Sequence, residues 1–139
     1  MSRRISRENA MKLLYQFQLR DDDVDEQIEV FISEMDDVGN LERAFFLDII
    51  HGVRTNEKEI DELIKAHAKG WSLERMPKVD IAIIRLAIYE LIYRDDIPFN
   101  VTINEAVELA KKYSTDQSGS FINGVLGKVL KSIEPIKEN

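Results

Sequence analysis

The sequence predicts an all-α protein, a compact bundle of about seven helices that forms one domain over residues 1–139. Apolar residues recur at the i, i+3, i+4, i+7 spacing of amphipathic helices in almost every segment. No segment alternates apolar and polar residues as a half-buried strand would. Residues 79–93 are apolar around most of the helix circumference, which is typical of a central, buried helix.

Four helices are predicted in the first half of the chain from stripes of apolar residues, over 6–20, 24–35, 45–53 and 56–70. Their ends carry residue types that are common at helix termini, namely Ser6, Gly39, the pair Asn56 and Glu59, and Gly70. A short turn then follows, which Ser72 caps and which ends at Met76 because Pro77 disfavours helix in the residue before it.

The second half of the chain predicts three more helices. The central helix covers 78–94 and is followed by a turn. The next helix is expected to begin at a capping box formed by Thr102 and Glu105. A polar loop over 114–120 then leads to the last amphipathic helix, which Pro135 is expected to end.

Composition restricts the class of protein. The chain has no cysteine, which excludes disulfides and thiolate metal sites. No apolar run reaches the roughly 18 residues that span a bilayer, and the amino terminus is charged where a signal peptide is apolar. We therefore expect a soluble, cytoplasmic protein without a membrane partner.

Charge is distributed unevenly along the chain. The net charge is −7, but residues 1–20 carry five cations against one acid, which makes this segment +4 and the remainder −11. A basic arm on an acidic body can contact an anionic partner, although exposed arginines can equally be solvated. The charge pattern alone supports contact with an anionic partner and solvation of the arginines equally well.

No cofactor, metal site or catalytic residue is predicted. Asp21, Asp23 and Asp25 have the spacing of a calcium loop, but that loop also needs a glycine and a glutamate at positions that this chain fills otherwise. Gly119 and Gly124 have the spacing of a phosphate-binding loop, but valine follows where lysine is required. The sequence therefore indicates a binding protein and not an enzyme.

Two segments could bind a nucleic acid. If the first helix extends back to Arg3, one flank of it carries both cations and an aromatic ring, in the series Arg4, Arg7, Met11, Tyr15 and Gln18. Arginine contacts phosphates and stacks on bases, while Tyr15 could bind a partner or lie at the rim of the core. The second segment, 114–123, follows Lys111 and offers hydroxyls, amides and helix N–H groups. Its Phe121 could be core or a base-stacking platform.

Four stretches together resemble the NusB family of bacterial transcription antitermination factors. Each is given by its matching residues: Arg3-Arg4-x-x-Arg7-Glu8-x-Ala10 with Leu14-Tyr15-x-x-Gln18; Val79-Asp80 through Arg85-Leu86-Ala87-Ile88-Tyr89-Glu90-Leu91; Ile97-Pro98 through Ile103-Asn104-Glu105-Ala106-Val107-Glu108-Leu109-Ala110-Lys111; and Phe121-Ile122-Asn123-Gly124-Val125-Leu126. They occur in the family's order over nearly the whole chain.

The resemblance implies two packed helical subbundles and binding of single-stranded boxA RNA together with the ribosomal protein NusE. That complex would join an RNA polymerase elongation complex with other Nus factors. The implied RNA contacts are Arg3, Arg4, Arg7, Lys111, Gln117, Ser118, Phe121 and Asn123. The implied partner contacts are Tyr15, Gln18 and Asp80, of which the last suits a basic ribosomal protein.

The chain departs from the family pattern at two places. Ile5 interrupts the arginine cluster, and the segment 117–120 is less charged than in some relatives. A second interpretation is an accessory domain of an RNA-modifying complex, since NusB-like domains are also fused to RNA methyltransferases. A homodimer is left open by the long apolar helices.

Overall fold

The computed structural model describes residues 3–35 and 39–137, with side chains as far as residue 133. Over these ranges the chain forms six α-helices and one 3₁₀ turn, and no strand is present. The helices are α1 (Arg3–Leu19), α2 (Val24–Glu34), α3 (Asn40–His67), α4 (Lys78–Tyr93), α5 (Phe99–Tyr113) and α6 (Asp116–Lys137), and the turn covers Leu73–Arg75. The predicted all-α class is confirmed.

Helix α4 lies at the centre, as its sequence predicts. It packs against α1 and α3 on one side and against α5 and α6 on the other. Its residues from Asp80 to Leu91 are buried with the single exception of Arg85, which is partly exposed. A helix that is apolar nearly all round can bury its whole surface only when neighbours surround it. The two groups of helices on either side of α4 are therefore held together by one continuous core.

The predicted third and fourth helices are one helix, α3, of 28 residues. Asn56, which was expected to cap a new helix, donates a hydrogen bond from Nδ2 to the carbonyl of Gly52 one turn earlier. The apolar face of α3 continues through this point, since Val53 and Ile60 are both fully buried against the core. The side-chain amide of Asn56 thus donates its hydrogen bond within a continuous helix and does not cap a helix terminus.

Helix starts differ from the sequence prediction at α1 and α5. Helix α1 begins at Arg3, so Ser6 lies inside it and donates a hydrogen bond to the carbonyl of Glu42. Helix α5 begins at Phe99, directly after Pro98, whose φ of −59° suits the entry to a helix. The two residues of the predicted capping box, Thr102 and Glu105, lie inside α5 and are free to make tertiary contacts.

Two predicted boundaries near α6 are also wrong. The loop expected over 114–120 is only the connection Ser114–Thr115, because α6 begins at Asp116. Its backbone continues past position 135 to Lys137 instead of ending at the proline. A proline this close to the end of a helix removes only one hydrogen bond, which the long packed helix tolerates.

The second helix was predicted to end near Gly39, whereas α2 ends at Glu34. Residues 36–38, between these two positions, lie outside the described ranges.

In the described part of the chain, no helix combines the length and apolar character that a membrane span requires.

Candidate nucleic-acid interface

The first turn of α1, the exposed side of α5 and the start of α6 meet in one surface groove. The groove has a volume of about 600 Å³. Its lining includes Arg4 from α1, Asn104, Glu105 and Lys111 from α5, and Ser120 and Asn123 from α6. Two adjoining grooves share Arg4 and Glu105 with it, and one of them adds Arg3 while the other adds Lys112. The surface therefore runs without interruption from the amino-terminal arginines to the start of α6.

The close pairing of α5 and α6 brings the α6 residues to this groove. The two helices are joined by only two residues, and Gly119 N–H donates to the carbonyl of Thr115 as α6 begins. A Cβ atom at Gly119 would lie 3.5 Å from Cγ of Lys111, which shows how near the two helices approach. The side chains of Ser120 and Asn123 consequently share a groove with Lys111.

Most of the cations on this surface are already paired with carboxylates. Arg4 forms a two-bond pair with Glu105, with Nε–Oε1 at 3.0 Å and Nη2–Oε2 at 2.7 Å. Lys112 Nζ lies 2.6 Å from Glu8 Oε2. Arg4 keeps 65% of its side chain exposed, so its partner can be exchanged for another anion. The basic arm of the sequence is thus largely neutralised in the folded protein.

The ion pair between Arg4 and Glu105 shifts the pKa values of both side chains. The hydrogen bond from Arg4 is the largest cause that lowers the pKa of Glu105, and burial of the carboxyl partly opposes it. The same hydrogen bond raises the pKa of Arg4. Both groups are therefore charged at neutral pH, and the pair is an electrostatic contact between full charges.

Arg7 differs from its neighbours because its side chain is only 4% exposed. Its Nε and Nη2 atoms donate to the two carboxylate oxygens of Glu90 at 2.8 Å each. Thr102 Oγ1 donates to Glu90 as well, at 3.0 Å, and Arg7 Nη1 lies 3.7 Å from Glu105. Arg7 was expected to contact RNA, but its guanidinium lies in the interior, where its donors are held by the carboxylate of Glu90. The helix wheel missed this because α1 packs against α4 along that flank.

Arg3 is held at the edge of the same surface. Its guanidinium lies 4.7 Å from the ring centre of Phe45 and donates to Asp96 at 3.1 Å. Arg94 also donates to Asp96 and lies 5.0 Å from the same ring. These contacts hold the pKa of Asp96 well below its usual range, with the hydrogen bond from Arg94 as the largest cause. Arg3 remains nearly half exposed, so part of its guanidinium surface is available to a ligand.

The second predicted RNA segment divides between two sides of α6. Asn123 lines the groove described above, whereas Gln117, Ser118 and Phe121 line a separate cleft. Gln117 is exposed. The Ser118 hydroxyl donates to Asp80 Oδ2 at 2.9 Å and is buried. Residues 114–123 were predicted as one segment of loop and helix start, but those from 116 onward belong to α6, whose side chains are about 100° apart from one residue to the next and therefore divide between its two sides.

The separate cleft has a volume of about 390 Å³ and an aromatic wall. Phe121 is half-buried and lies against Trp71, with ring centres 5.7 Å apart and planes tilted by 58°. Phe121 packs against the core and also lines this cleft, while its role as a base-stacking platform stays a prediction. Trp71 was not singled out from the sequence, where a tryptophan after a glycine gives no sign of which element it will face.

The three predicted partner contacts come from α1 and the first turn of α4. Tyr15 is half-buried against the core, and Gln18 Nε2 donates to the carbonyl of Lys78 at 2.8 Å. Asp80 was expected on the surface, but its side chain is 2% exposed and faces Ser118. Its position in the first turn of α4 explains how a buried carboxylate is tolerated, because the helix N-terminus favours negative charge.

Known proteins match this chain over nearly its whole length. The model of the NusB family matches residues 4–131. The transcription antitermination protein NusB of Acetivibrio thermocellus is 56% identical over 131 residues, which cover 94% of this chain and 90% of that protein. The solved structure of T. maritima NusB has a TM-score of 0.86 and 38% identity, covering 94% of this chain and 92% of the other. A structure of antitermination factors NusB and NusE in complex with double-stranded RNA has a TM-score of 0.85 and 26% identity, covering 95% of this chain and 99% of the matched one.

Proposed function

The chain belongs to the NusB family, and from this premise we propose that it is a transcription antitermination protein that binds boxA-type RNA together with NusE. We further propose that residues 1–139 act as one domain, that the protein works by binding and not by catalysis, and that it does so in the cytoplasm, where bacterial transcription takes place. A related NusB has been solved with NusE and RNA, which supports both partners.

The observation that carries the proposal is the placement of Arg4 and Asn123 in one groove. They are separated by most of the chain in sequence, yet they lie on the same surface with Lys111 and Ser120. An extended strand of RNA needs such a track, with cations for successive phosphates and polar groups for base edges.

Each groove residue has a role that follows from its chemistry. Arg4 and Lys111 neutralise phosphates, and Arg3 extends the track at its amino-terminal end. Ser120 and Asn123 offer hydroxyl and amide groups to bases or sugar hydroxyls. Arg7 acts as a positioning residue, because its buried pair with Glu90 fixes the turn of α1 that carries Arg3 and Arg4.

We propose that NusE binds a surface that includes Tyr15 and Gln18. Tyr15 lies at the edge of the core, and Gln18 links the end of α1 to the start of α4. A net charge of −11 outside the first 20 residues favours a basic ribosomal protein. The complex with NusE would supply further cations to the RNA and would join RNA polymerase with other Nus factors. A homodimer would compete with this complex if it covered the same surface.

The proposal is tested by the affinity of Arg4→Ala for single-stranded boxA RNA, measured by fluorescence anisotropy with and without NusE from the same genome. Arg20→Ala is the matched control, since Arg20 is also exposed and paired with a carboxylate but follows the opposite end of α1. We expect Arg4→Ala to weaken binding about three- to tenfold and to reduce the salt slope by about 0.7, as expected for one lost phosphate contact to a single strand.

Arg20→Ala should bind RNA as the unchanged protein does. A duplex of the same sequence serves as a second probe and reports whether the groove prefers single strands. Equal loss of affinity in the Arg4 and Arg20 variants would show that only general charge matters and would contradict the assigned groove.

A further inference from the structure

We propose that the cleft between Trp71 and Phe121 binds one nucleobase that carries an exocyclic amino group, with the amine donating to Oδ1 of Asp80, a residue that lines the cleft. The inference rests on the proposed RNA-binding function and names a base-selecting subsite within it. Cytosine is the pyrimidine with the required amino group, whereas uracil has a carbonyl oxygen in its place.

Asp80 is the observation that points to a ligand. Its side chain is 2% exposed, and it lines the cleft. Oδ2 accepts a hydrogen bond from Ser118 at 2.9 Å, while Oδ1 is buried and accepts none from the described residues. A buried carboxylate oxygen without a donor costs free energy. The N-terminus of α4 stabilises the charge of Asp80 but does not supply a hydrogen bond to Oδ1.

The walls of the cleft suit a flat, apolar ring. Trp71 is 50% exposed although it is a large aromatic residue. Its ring is tilted by 58° against that of Phe121 instead of stacking on it. Met76 and Pro77 complete the apolar lining. The volume of about 390 Å³ falls within the range of about 300–1,000 Å³ found for small-molecule sites.

The charges in the cleft select a base and not a phosphate. Its lining contains no lysine or arginine among the described residues, and its one ionisable side chain is the carboxylate of Asp80. A phosphate would be repelled, whereas an amino group would supply the missing donor. A carboxylate that accepts from the N4 amine of cytosine is a recognised contact of base readout. The O4 atom of uracil would instead place a second acceptor against Asp80.

The cleft lies across α6 from the proposed RNA groove. Ser120 and Asn123 line the groove on one side of this helix, and Ser118 and Phe121 line the cleft on the other. Between them the exposed surface of α6 carries Gly124, where a Cβ atom would meet nothing within 4 Å. A strand that leaves the groove can therefore cross the helix closely and turn a base into the cleft. This proximity favours RNA over a cationic protein side chain as the occupant.

The test compares octamers of cytidine and uridine, which have equal backbone charge and differ at the amino group. Trp71 is the only tryptophan of the chain, so its fluorescence reports on the cleft alone. We expect the cytidine octamer to bind about tenfold more tightly than the uridine octamer, the gain of one charge-assisted hydrogen bond, and to quench Trp71. Binding is measured by anisotropy of labelled RNA, with and without NusE.

Two variants assign the preference to the cleft. Asp80→Asn keeps the shape of the side chain but removes the charge, and it should reduce the preference for cytidine to less than about twofold. Trp71→Leu changes a half-exposed residue, so it should fold, and it should weaken cytidine binding more than uridine binding. Arg4→Gln should weaken both octamers equally. Circular dichroism checks the fold of each, and Trp71→Leu carries the test if Asp80→Asn does not fold.

Three results would overturn the inference. Equal affinity of the unchanged protein for both octamers would remove the base-selecting subsite but leave RNA binding in place. Binding of neither octamer and of no boxA RNA, with or without NusE, would remove the subsite and the proposed function together. Quenching of Trp71 by NusE without RNA, lost in Asp80→Asn, would assign the cleft to the protein partner.

Discussion

Arg7 and Glu90 form a buried ion pair in which two nitrogen atoms of the guanidinium each lie 2.8 Å from a carboxylate oxygen. The side chains of both residues are almost fully excluded from solvent. The pair joins α1 to the central helix α4, and Thr102 adds a hydrogen bond from α5. Helices α1 and α5, which line the proposed RNA surface, thus meet the central helix α4 at one polar cluster in the interior.

Arg7→Ala should lower the free energy of unfolding by about 3–5 kcal/mol, because it leaves the carboxylate of Glu90 buried without its partner. The family resemblance implied that Arg7 contacts RNA, whereas the burial of its side chain predicts that its loss mainly destabilises the fold. Urea unfolding followed by circular dichroism measures the change. The double variant Arg7→Met with Glu90→Leu should recover most of the lost free energy of unfolding, since an apolar pair leaves no buried charge without a partner. A single variant as stable as the unchanged protein would contradict the structural role.

Glu105→Gln should raise the affinity for RNA by about two- to fivefold. The carboxylate of Glu105 occupies Arg4, so a phosphate must displace it, and a neutral amide competes less strongly. Glutamine can still accept a hydrogen bond and keep Arg4 in place. Anisotropy with boxA RNA measures the effect, and Glu62→Gln, an exposed change on α3, is the control for net charge. An equal gain in both variants would show that net charge alone is responsible.

Glu105 should titrate below its usual value of 4.5, because Arg4 stabilises its charged form. A folded-state pKa that is lowered contributes stability above the usual value, and this contribution is lost as the pH falls through the lowered value. Arg4→Ala should therefore move the titration midpoint upward. Carbon-detected NMR of the side-chain carboxyl follows it directly. Arg20→Ala should leave the midpoint in place, and an equal shift in that variant would argue against the Arg4 contact as the cause.

Gly52→Ala should lower the free energy of unfolding by about 1–3 kcal/mol through overpacking. A Cβ atom at Gly52 would overlap a ring carbon of Tyr89. The Tyr89 hydroxyl donates a hydrogen bond to Asp48, so the ring cannot move away freely. Gly127→Ala is the matched control within a helix, since a Cβ atom there meets nothing within 4 Å. That variant should gain about 0.5–1 kcal/mol from helix propensity. Thermal unfolding compares the two, and similar stabilities would contradict the close contact between α3 and α4.

The apolar pattern by itself determined the fold class and the central place of α4. A helix that is buried on all sides is apolar around most of its circumference, so the pattern of Val79 to Leu91 is visible without coordinates. The same holds for most helices, whose periodic stripes face one core. The family motifs implied that Arg4 and Asn123 both contact RNA, and the two residues do line one groove, although their binding of RNA stays a prediction. These features depend on residue type and spacing, which the sequence contains in full.

Only the tertiary structure decided which polar residues are exposed to a ligand and which are paired with residues of other helices. Thr102 and Glu105 match a capping box in sequence, yet they bind Glu90 and Arg4 from other helices. Arg4 and Arg7 differ by one helical turn, yet one is exposed and the other buried. A polar side chain satisfies its hydrogen bonds with whatever lies nearest, and residues about a hundred positions apart become neighbours only when helices pack. Local patterns therefore predict where a chain is apolar, while the partners of its charges depend on the assembled fold.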